Sequence, residues 1–239
     1  SSESDELSDL YEKSIKQMGN SGTSAGQYYT PRPLINSIVK AVNPTLGETV
    51  LDPACGSGGF LISTFEHILN KKELTAKEFN ILQKDTVLGQ EKIGIPFAIG
   101  IMNMIMHGIE TPNIIRDNTL SINTLDLQDK DRVDVIVANP PFGGSEREEI
   151  KSNFAIQSSE TAYLFMQYFL KKLKIGGRAG LIIKNTFLSN DDAASLRQLL
   201  LKECNLHTIV DLPKVFGTTG VQTVALFFEK GKKTKDIFY

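Results

Sequence analysis

The chain has 239 residues, of which 41% are hydrophobic and 23% charged, a composition typical of a globular protein that can bury a full core. Its formal net charge of −2 provides no global basic field, so a nucleic-acid partner has to be argued from a site. Two cysteines exclude a disulfide framework, no ligand spacing predicts a metal site, and no apolar run is long enough to span a membrane, so a cytoplasmic protein is expected.

The pattern along the chain predicts a polar arm, residues 1–26, followed by one domain, residues 27–239. Predicted helices cover 34–42, 60–69, 96–107, 161–174 and 191–203. Predicted strands cover 49–52, 86–89, 133–138, 179–183, 208–211 and 223–228. This alternation is typical of a doubly wound, Rossmann-like α/β fold with a mostly parallel sheet, whose ligand lies at the carboxyl ends of the strands. The helix at 96–107 is expected to be buried, with Met102, Met104 and Met106 filling gaps in the core.

A glycine-rich turn, Asp-Pro-Ala-Cys-Gly-Ser-Gly-Gly at 52–59, joins the first predicted strand to a helix. Gly56 and Gly58 allow a ligand to approach the backbone at a helix N-terminus, although such a turn can also serve tight packing alone. No Gly-Lys-Ser/Thr ending is present, and Asp52 at the mouth would repel a phosphate and attract a cation. The turn therefore favours a ligand that carries an amine and a sulfonium.

The next predicted strand leads into Glu91, which would lie at its carboxyl end. A carboxylate in this position can accept both hydroxyl groups of a ribose, as in dinucleotide-binding folds. The competing interpretation is a surface glutamate that caps the following helix. The position favours the ribose role.

Asn-Pro-Pro-Phe at 139–142 follows directly on the strand predicted at 133–138. Two prolines cannot continue a central strand, so the chain must turn out at the edge of the sheet and display a polar side chain and an aromatic ring there. This sequence resembles the catalytic motif of amino-group methyltransferases that use S-adenosylmethionine, and residues 52–59 resemble their cofactor loop. Gly-Gln-Tyr-Tyr-Thr-Pro at 26–31 is similar to the segment that precedes this loop in the gamma class of adenine-N6 DNA methyltransferases.

Three downstream runs, at 162–167, 176–183 and 210–216, resemble the modification subunit of type I restriction-modification systems. The resemblance implies a Rossmann-like methyltransferase fold and makes 27–239 a catalytic domain. It implies roles in cofactor binding for Tyr29, Thr30, Asp52, Ala54, Gly56, Gly58, Glu91 and Asn118, and roles in catalysis for Asn139, Pro140, Pro141 and Phe142. The family usually has Asp where this chain has Asn118, so Asp117 is the alternative contact to the adenine of the cofactor.

The implied function is transfer of a methyl group from S-adenosylmethionine to the N6 amino group of an adenine that is flipped out of DNA. The implied partners are a specificity subunit and a restriction subunit, and this chain alone is expected to bind DNA weakly and without sequence preference. Two alternatives remain open at this point: a methyltransferase acting on protein glutamine or another amide nitrogen, and a non-catalytic subunit that only binds the cofactor. The segment at 28–31 and the type I-like runs favour DNA over the first, and the intact motifs argue against the second.

Overall fold

The computed structural model describes residues 30–214 and 221–239, so the predicted arm and Tyr29 lie outside the described residues. The helices are α1 (Arg32–Val42), α2 (Gly59–Leu69), α3 (Ala76–Ile81), α4 (Gly94–Met106), α5 (Glu148–Lys151), α6 (Thr161–Lys172) and α7 (Ala194–Glu203). The strands are β1 (Val50–Asp52), β2 (Val87–Glu91), β3 (Ile114–Arg116), β4 (Val133–Ala138), β5 (Leu173–Lys184), β6 (Cys204–Asp211) and β7 (Thr223–Lys230).

The seven described strands form one sheet in the order β3-β2-β1-β4-β5-β7-β6. All neighbouring strands are parallel except β7, which pairs antiparallel with both β5 and β6. The predicted doubly wound, mostly parallel sheet is therefore confirmed. Because the strand order reverses between β1 and β4, the connections leave these strands in opposite directions and open a crevice at their carboxyl ends.

Helices cover both faces of the sheet, and the side chains of β4 pack against helices on both sides. Alternate residues of a strand point to opposite faces, and every residue of β4 except Asp134 is buried. Val135 and Val137 pack with α1, whereas Ile136 and Ala138 pack with α6 on the other face. This burial on both sides explains the apolar run at the centre of the sheet and fixes where its carboxyl end emerges.

Helix α1 begins after Pro31 and turns its apolar residues toward the sheet. It ends at Asn43, whose φ of 53° places the backbone in the left-handed region just before Pro44. At this end Arg178 of β5 donates to the carbonyl of Val42 at 2.7 Å and forms a bidentate ion pair with Glu48 at 2.6 and 2.9 Å. These contacts hold the C-terminal end of α1 in place, and the helix begins at the other end of the strands, beside the crevice.

Helix α4 corrects the prediction of a buried helix at 96–107. Met104 is fully buried, but Met102 is 54% exposed and Ile95 is 74% exposed, so only one face of the helix contacts the core. The prediction that all three methionines fill core gaps is therefore wrong for Met102. A uniformly apolar helix gives no periodic signal that would distinguish its inner face from its outer face.

Three short elements have no counterpart among the predicted ones. Edge strand β3 contains only three residues, Ile-Ile-Arg, helix α3 only six and helix α5 only four, so none of them shows a clear period. Strand β5 also begins at Leu173, within the segment predicted as helix. No helix in the described parts of the chain is long and apolar enough to cross a membrane.

Candidate active site at the carboxyl ends of four strands

One cavity lies over the carboxyl ends of the four strands on one side of the sheet. Each strand supplies one polar residue to it, and following the strand order these residues are Asn118, Glu91, Asp52 and Asn139. The cavity therefore spans the position where the strand order reverses, as expected for a ligand site in a doubly wound sheet.

The glycine-rich loop between β1 and α2 forms one wall of the cavity. Gly56 lines it and has a φ of 52°, in the left-handed region that favours glycine. Gly58 has a φ of 80°, and a Cβ there would face Met104 at 3.4 Å and the carbonyl of Gly100 at 3.5 Å. Gly58 is thus required by backbone geometry at the start of α2, whereas Gly56, with Ala54, faces the ligand space.

Glu91 is only 6% exposed, and both of its carboxylate oxygens accept backbone hydrogen bonds. Oε2 accepts from the N–H of Gly56 at 3.0 Å, and Oε1 accepts from the N–H of Ile93 at 2.7 Å. Glu91 therefore holds the glycine-rich loop and the start of α4 together. Each carboxylate oxygen has a second lone pair, so Glu91 can still accept from a ligand hydroxyl in the cavity it lines.

Asp52 is 2% exposed at the end of β1, and its Oδ1 accepts a hydrogen bond from the N–H of Ala54 at 3.1 Å. Burial raises the pKa of Asp52 to about 8; the bond from Ala54 opposes this effect and the charge of Glu91 adds to it. The same burial, with the charges of Asp52 and Glu91, raises the pKa of the Cys55 thiol. Two acidic groups in a buried wall favour a cationic ligand, because such a ligand relieves the cost of ionisation.

The side-chain amide of Asn139 donates from Nδ2 to Oγ1 of Thr30 at 3.0 Å. Its other end, Oδ1, is buried and has no hydrogen-bond partner among the described residues. Leaving a buried acceptor unpaired costs about 1–3 kcal/mol. Thr30 thus fixes the orientation of the amide of Asn139, a residue that lines the cavity, and leaves its Oδ1 with an unused capacity to accept a hydrogen bond.

The prolines and the phenylalanine of the same motif differ in their surroundings. Pro140 is buried, and Pro141 lines the cavity beside Asn139. Phe142 is half-buried and packs against the apolar cluster of α1 and the central strands. The structure therefore brings Asn139 and Pro141 to the cavity wall, whereas Phe142 is not among the residues that line the cavity.

Asn118 lines the cavity, whereas the neighbouring Asp117 is exposed and does not. Asn118 Oδ1 accepts from the N–H of Leu120 at 3.2 Å, which starts a short 3-10 turn.

Glu146 also lines the cavity, and the sequence alone assigns it no role. It lies in the polar stretch 143–160, which contains the helical turn α5. The only sequence signal for Glu146 is an acidic residue soon after the 139–142 motif.

These features fit S-adenosylmethionine. Its ammonium and sulfonium groups match the buried acidic wall, and its ribose hydroxyls match the free acceptor capacity of Glu91. Gly56 admits the ligand to the backbone, and Asp52, Ala54 and Thr30 line the same space. The donor set within the described residues contains no cluster of His, Cys, Asp or Glu that could hold a metal ion.

Comparison with known proteins identifies this class of fold. A structure from Listeria monocytogenes, described as a class I S-adenosylmethionine-dependent methyltransferase, superposes with a TM-score of 0.80 at 16% identity, covering 98% of this chain and 72% of the other. The fold is thus that of S-adenosylmethionine-dependent methyltransferases. The model of the N-6 DNA methylase family matches residues 2–239, and the chain belongs to that family.

Two relatives are much more similar in sequence. The Type I restriction enzyme EcoEI methylase subunit of Escherichia coli is 41% identical over 97% of this chain and 48% of its own length. A modification subunit of a type I restriction enzyme from Vibrio vulnificus YJ016 is 41% identical with a TM-score of 0.89, over 97% of this chain and 50% of the other. The chain thus spans about half the length of these two relatives.

Proposed function

We propose that this chain is the catalytic part of an adenine-N6 DNA methyltransferase, the modification subunit of a type I restriction-modification system, with residues 27–239 as its catalytic domain. Membership of the N-6 DNA methylase family and the 41% identity to a type I methylase subunit support this function. The same findings favour DNA over a protein glutamine as substrate.

The observation that carries the proposal is the unpaired, buried Oδ1 of Asn139, held in place by Thr30. S-adenosylmethionine supplies an electrophilic methyl group when bound. An adenine amino group is a poor nucleophile, because its lone pair is delocalised into the ring. Asn139 Oδ1 and the carbonyl of Pro140 would accept hydrogen bonds from its two N–H groups and favour a more tetrahedral nitrogen. The lone pair of this nitrogen would form the new N–C bond as the bond from the methyl group to sulfur breaks, and the methylated nitrogen would then release one proton. Fixed acceptors at a nitrogen that gains positive charge stabilise the transition state more than the ground state.

The target base must leave the DNA stack to reach this position, at a cost of a few kcal/mol. Phe142 is the last residue of the motif and is only half-buried, so the exposed part of its ring would stack on the flipped base. Pro141 lines the cavity, and its ring restricts the backbone between Asn139 and Phe142. In this proposal Asn139 and Pro140 act on the amino group, and Phe142 holds the ring.

The proposed partners are DNA, a specificity subunit and a restriction subunit. A net charge of −2 gives little counterion release, which normally provides most of the non-specific affinity for DNA. This chain would therefore bind DNA weakly and without sequence preference until a specificity subunit joins it.

The test replaces Asn139 by Ala and measures N6-methyladenine by mass spectrometry, with the purified protein assembled with its specificity subunit. Removal of one preorganised group of this kind costs about 10²–10³ in rate. We expect a loss of that size with affinity for S-adenosylmethionine within a few-fold of the wild type. Asn80→Ala, at an exposed position of α3, is the matched control and should keep the wild-type rate. Wild-type activity of Asn139→Ala, or methylation of a glutamine peptide instead of DNA, would overturn the proposal.

A further inference from the structure

Glu146 follows the 139–142 motif in the chain and lines the cavity next to Asn118. Its side chain is 11% exposed, and Lys92 Nζ lies 2.8 Å from Oε1 and 3.1 Å from Oε2. Asn118 Nδ2 points at Oε2 from 3.4 Å. A carboxylate is therefore held almost buried in the wall of a ligand cavity, at the end that lies away from Asn139.

Asn118 can offer only one kind of hydrogen-bonding group to this space. Its Oδ1 is engaged with the N–H of Leu120, so the amide is oriented with its NH2 group toward Glu146. The side chain therefore presents a donor but no free acceptor in that direction. An amino group of a ligand would find its acceptor in the carboxylate of Glu146.

Glu146 has capacity for such a bond. An ionised carboxylate offers about four acceptor positions, and the protein contacts from Lys92 and Asn118 number three. The contact from Asn118, at 3.4 Å, is long for a hydrogen bond and is readily exchanged for a shorter one. Lys92 is 52% exposed in its side chain, so its ion pair adds little to stability and serves mainly to orient the carboxylate.

The pair formed by Asn118 and Glu146 thus presents a donor beside an acceptor, which is the complement of the N1 acceptor and N6 amino donor of adenine. The spatial order of the strands supports the same placement: Asn118 lies at one end, Asn139 at the other, and the proposed ribose contact Glu91 lies between them. We infer that Glu146 and Asn118 together read the adenine of the nucleoside cofactor, Glu146 accepting from N6 and Asn118 donating to N1. The inference rests on the proposed function, since it assigns a specificity-determining residue to that cofactor site.

The experiment compares the binding of S-adenosylhomocysteine and S-inosylhomocysteine to the purified protein by calorimetry. The inosyl compound carries an oxygen in place of the N6 amino group and a hydrogen on N1. The carboxylate of Glu146 would then face another acceptor, and the NH2 group of Asn118 would face another donor. A good bidentate contact discriminates by about 1–3 kcal/mol, and we expect the wild type to prefer the adenosyl compound by roughly 10–100-fold.

Glu146→Gln should lower this preference to within about threefold, because a rotated amide can donate to the inosine oxygen. Glu149→Gln, at an exposed position of α5, is the matched control and should keep the wild-type preference. Circular dichroism checks that both variants are folded. If the wild type binds the adenosyl compound and Glu146→Gln keeps the full preference, the inference is overturned and Lys92–Glu146 only braces the loop. If the wild type binds neither compound, the proposed function itself fails.

Discussion

The carboxylate of Glu91, at the end of β2, accepts a hydrogen bond from the backbone N–H of Gly56 at 3.0 Å, 35 residues away in the chain. This bond ties the glycine-rich loop to the neighbouring strand. In Glu91→Gln one of the two backbone donors, Gly56 or Ile93, faces an NH2 group instead of an acceptor. Because bonds to a charged group contribute about 1.5–3 kcal/mol, we expect calorimetry to show affinity for S-adenosylmethionine lowered by at least tenfold. Glu110→Gln, at an exposed position, is the control; equal affinities of both variants would contradict a role for Glu91.

Thr30→Val tests whether the hydroxyl orients Asn139. The variant keeps the shape of the side chain but removes the acceptor that Asn139 Nδ2 uses at 3.0 Å, so the amide is free to rotate. The methylation rate should fall more than the affinity for S-adenosylmethionine does, and Thr30→Ser should restore most of the rate. A parallel loss of rate and affinity would instead place Thr30 on the cofactor alone.

The raised pKa of Asp52 predicts a pH dependence of stability. Its folded-state pKa of about 8 lies above the ordinary value of 3.8, so between these values the folded protein holds a proton that the unfolded chain releases. The contribution to stability is complete below about pH 4 and is lost as the pH rises through 8. Urea denaturation of the unliganded protein at pH 6 and pH 8.5 should show this decline, and Asp52→Asn should reduce it. An unchanged decline in Asp52→Asn would show that other groups cause it.

Gly100→Ala tests the contact between α4 and the glycine-rich loop. A Cβ at Gly100 would lie 2.8 Å from the carbonyl oxygen of Gly56, which is backbone and cannot move aside like the end of a side chain. We expect the loop to shift and calorimetry to show weaker binding of S-adenosylmethionine, although alanine favours a helix over glycine. Ala98→Ser, at an exposed position of the same helix, should bind like the wild type. Normal binding by Gly100→Ala would mean that the helix moves rather than the loop.

Arg178→Lys tests the anchor at the end of α1. Arg178 donates to Val42 O and Asn43 O and holds both carboxylate oxygens of Glu48, and a single ammonium group cannot reproduce this planar arrangement. Loss of one or two charge-assisted bonds should lower the free energy of unfolding by about 1–3 kcal/mol in urea denaturation. Arg147→Lys, at an exposed position, should change it by less than about 0.5 kcal/mol.

Much of the fold follows from local sequence. The apolar run of β4 is buried on both faces, so it reads as a central strand, and the two prolines after it can only end the strand. The alternation of strands and helices then leaves few topologies, because parallel connections are right-handed and ligands lie where the strand order reverses. Asp52, Glu91 and Asn139 could therefore be selected for the site from the sequence, since each stands at or just beyond the carboxyl end of a predicted strand. Their assigned roles stay predictions.

The remaining features depend on contacts between distant parts of the chain. No local period in the sequence encodes the exposure of Met102. The same is true of two contacts between distant residues, the bond from Gly56 to Glu91 and the approach of Glu146 to Asn118. The antiparallel insertion of β7 between β5 and β6 is likewise a matter of pairing rather than of strand propensity. The sequence by itself determined that Asp52, Glu91 and Asn139 reach the ligand edge of the sheet, because strand polarity places them there. Only the tertiary structure decided which of them touch, because hydrogen-bond partners and buried charges are set by packing across the sheet.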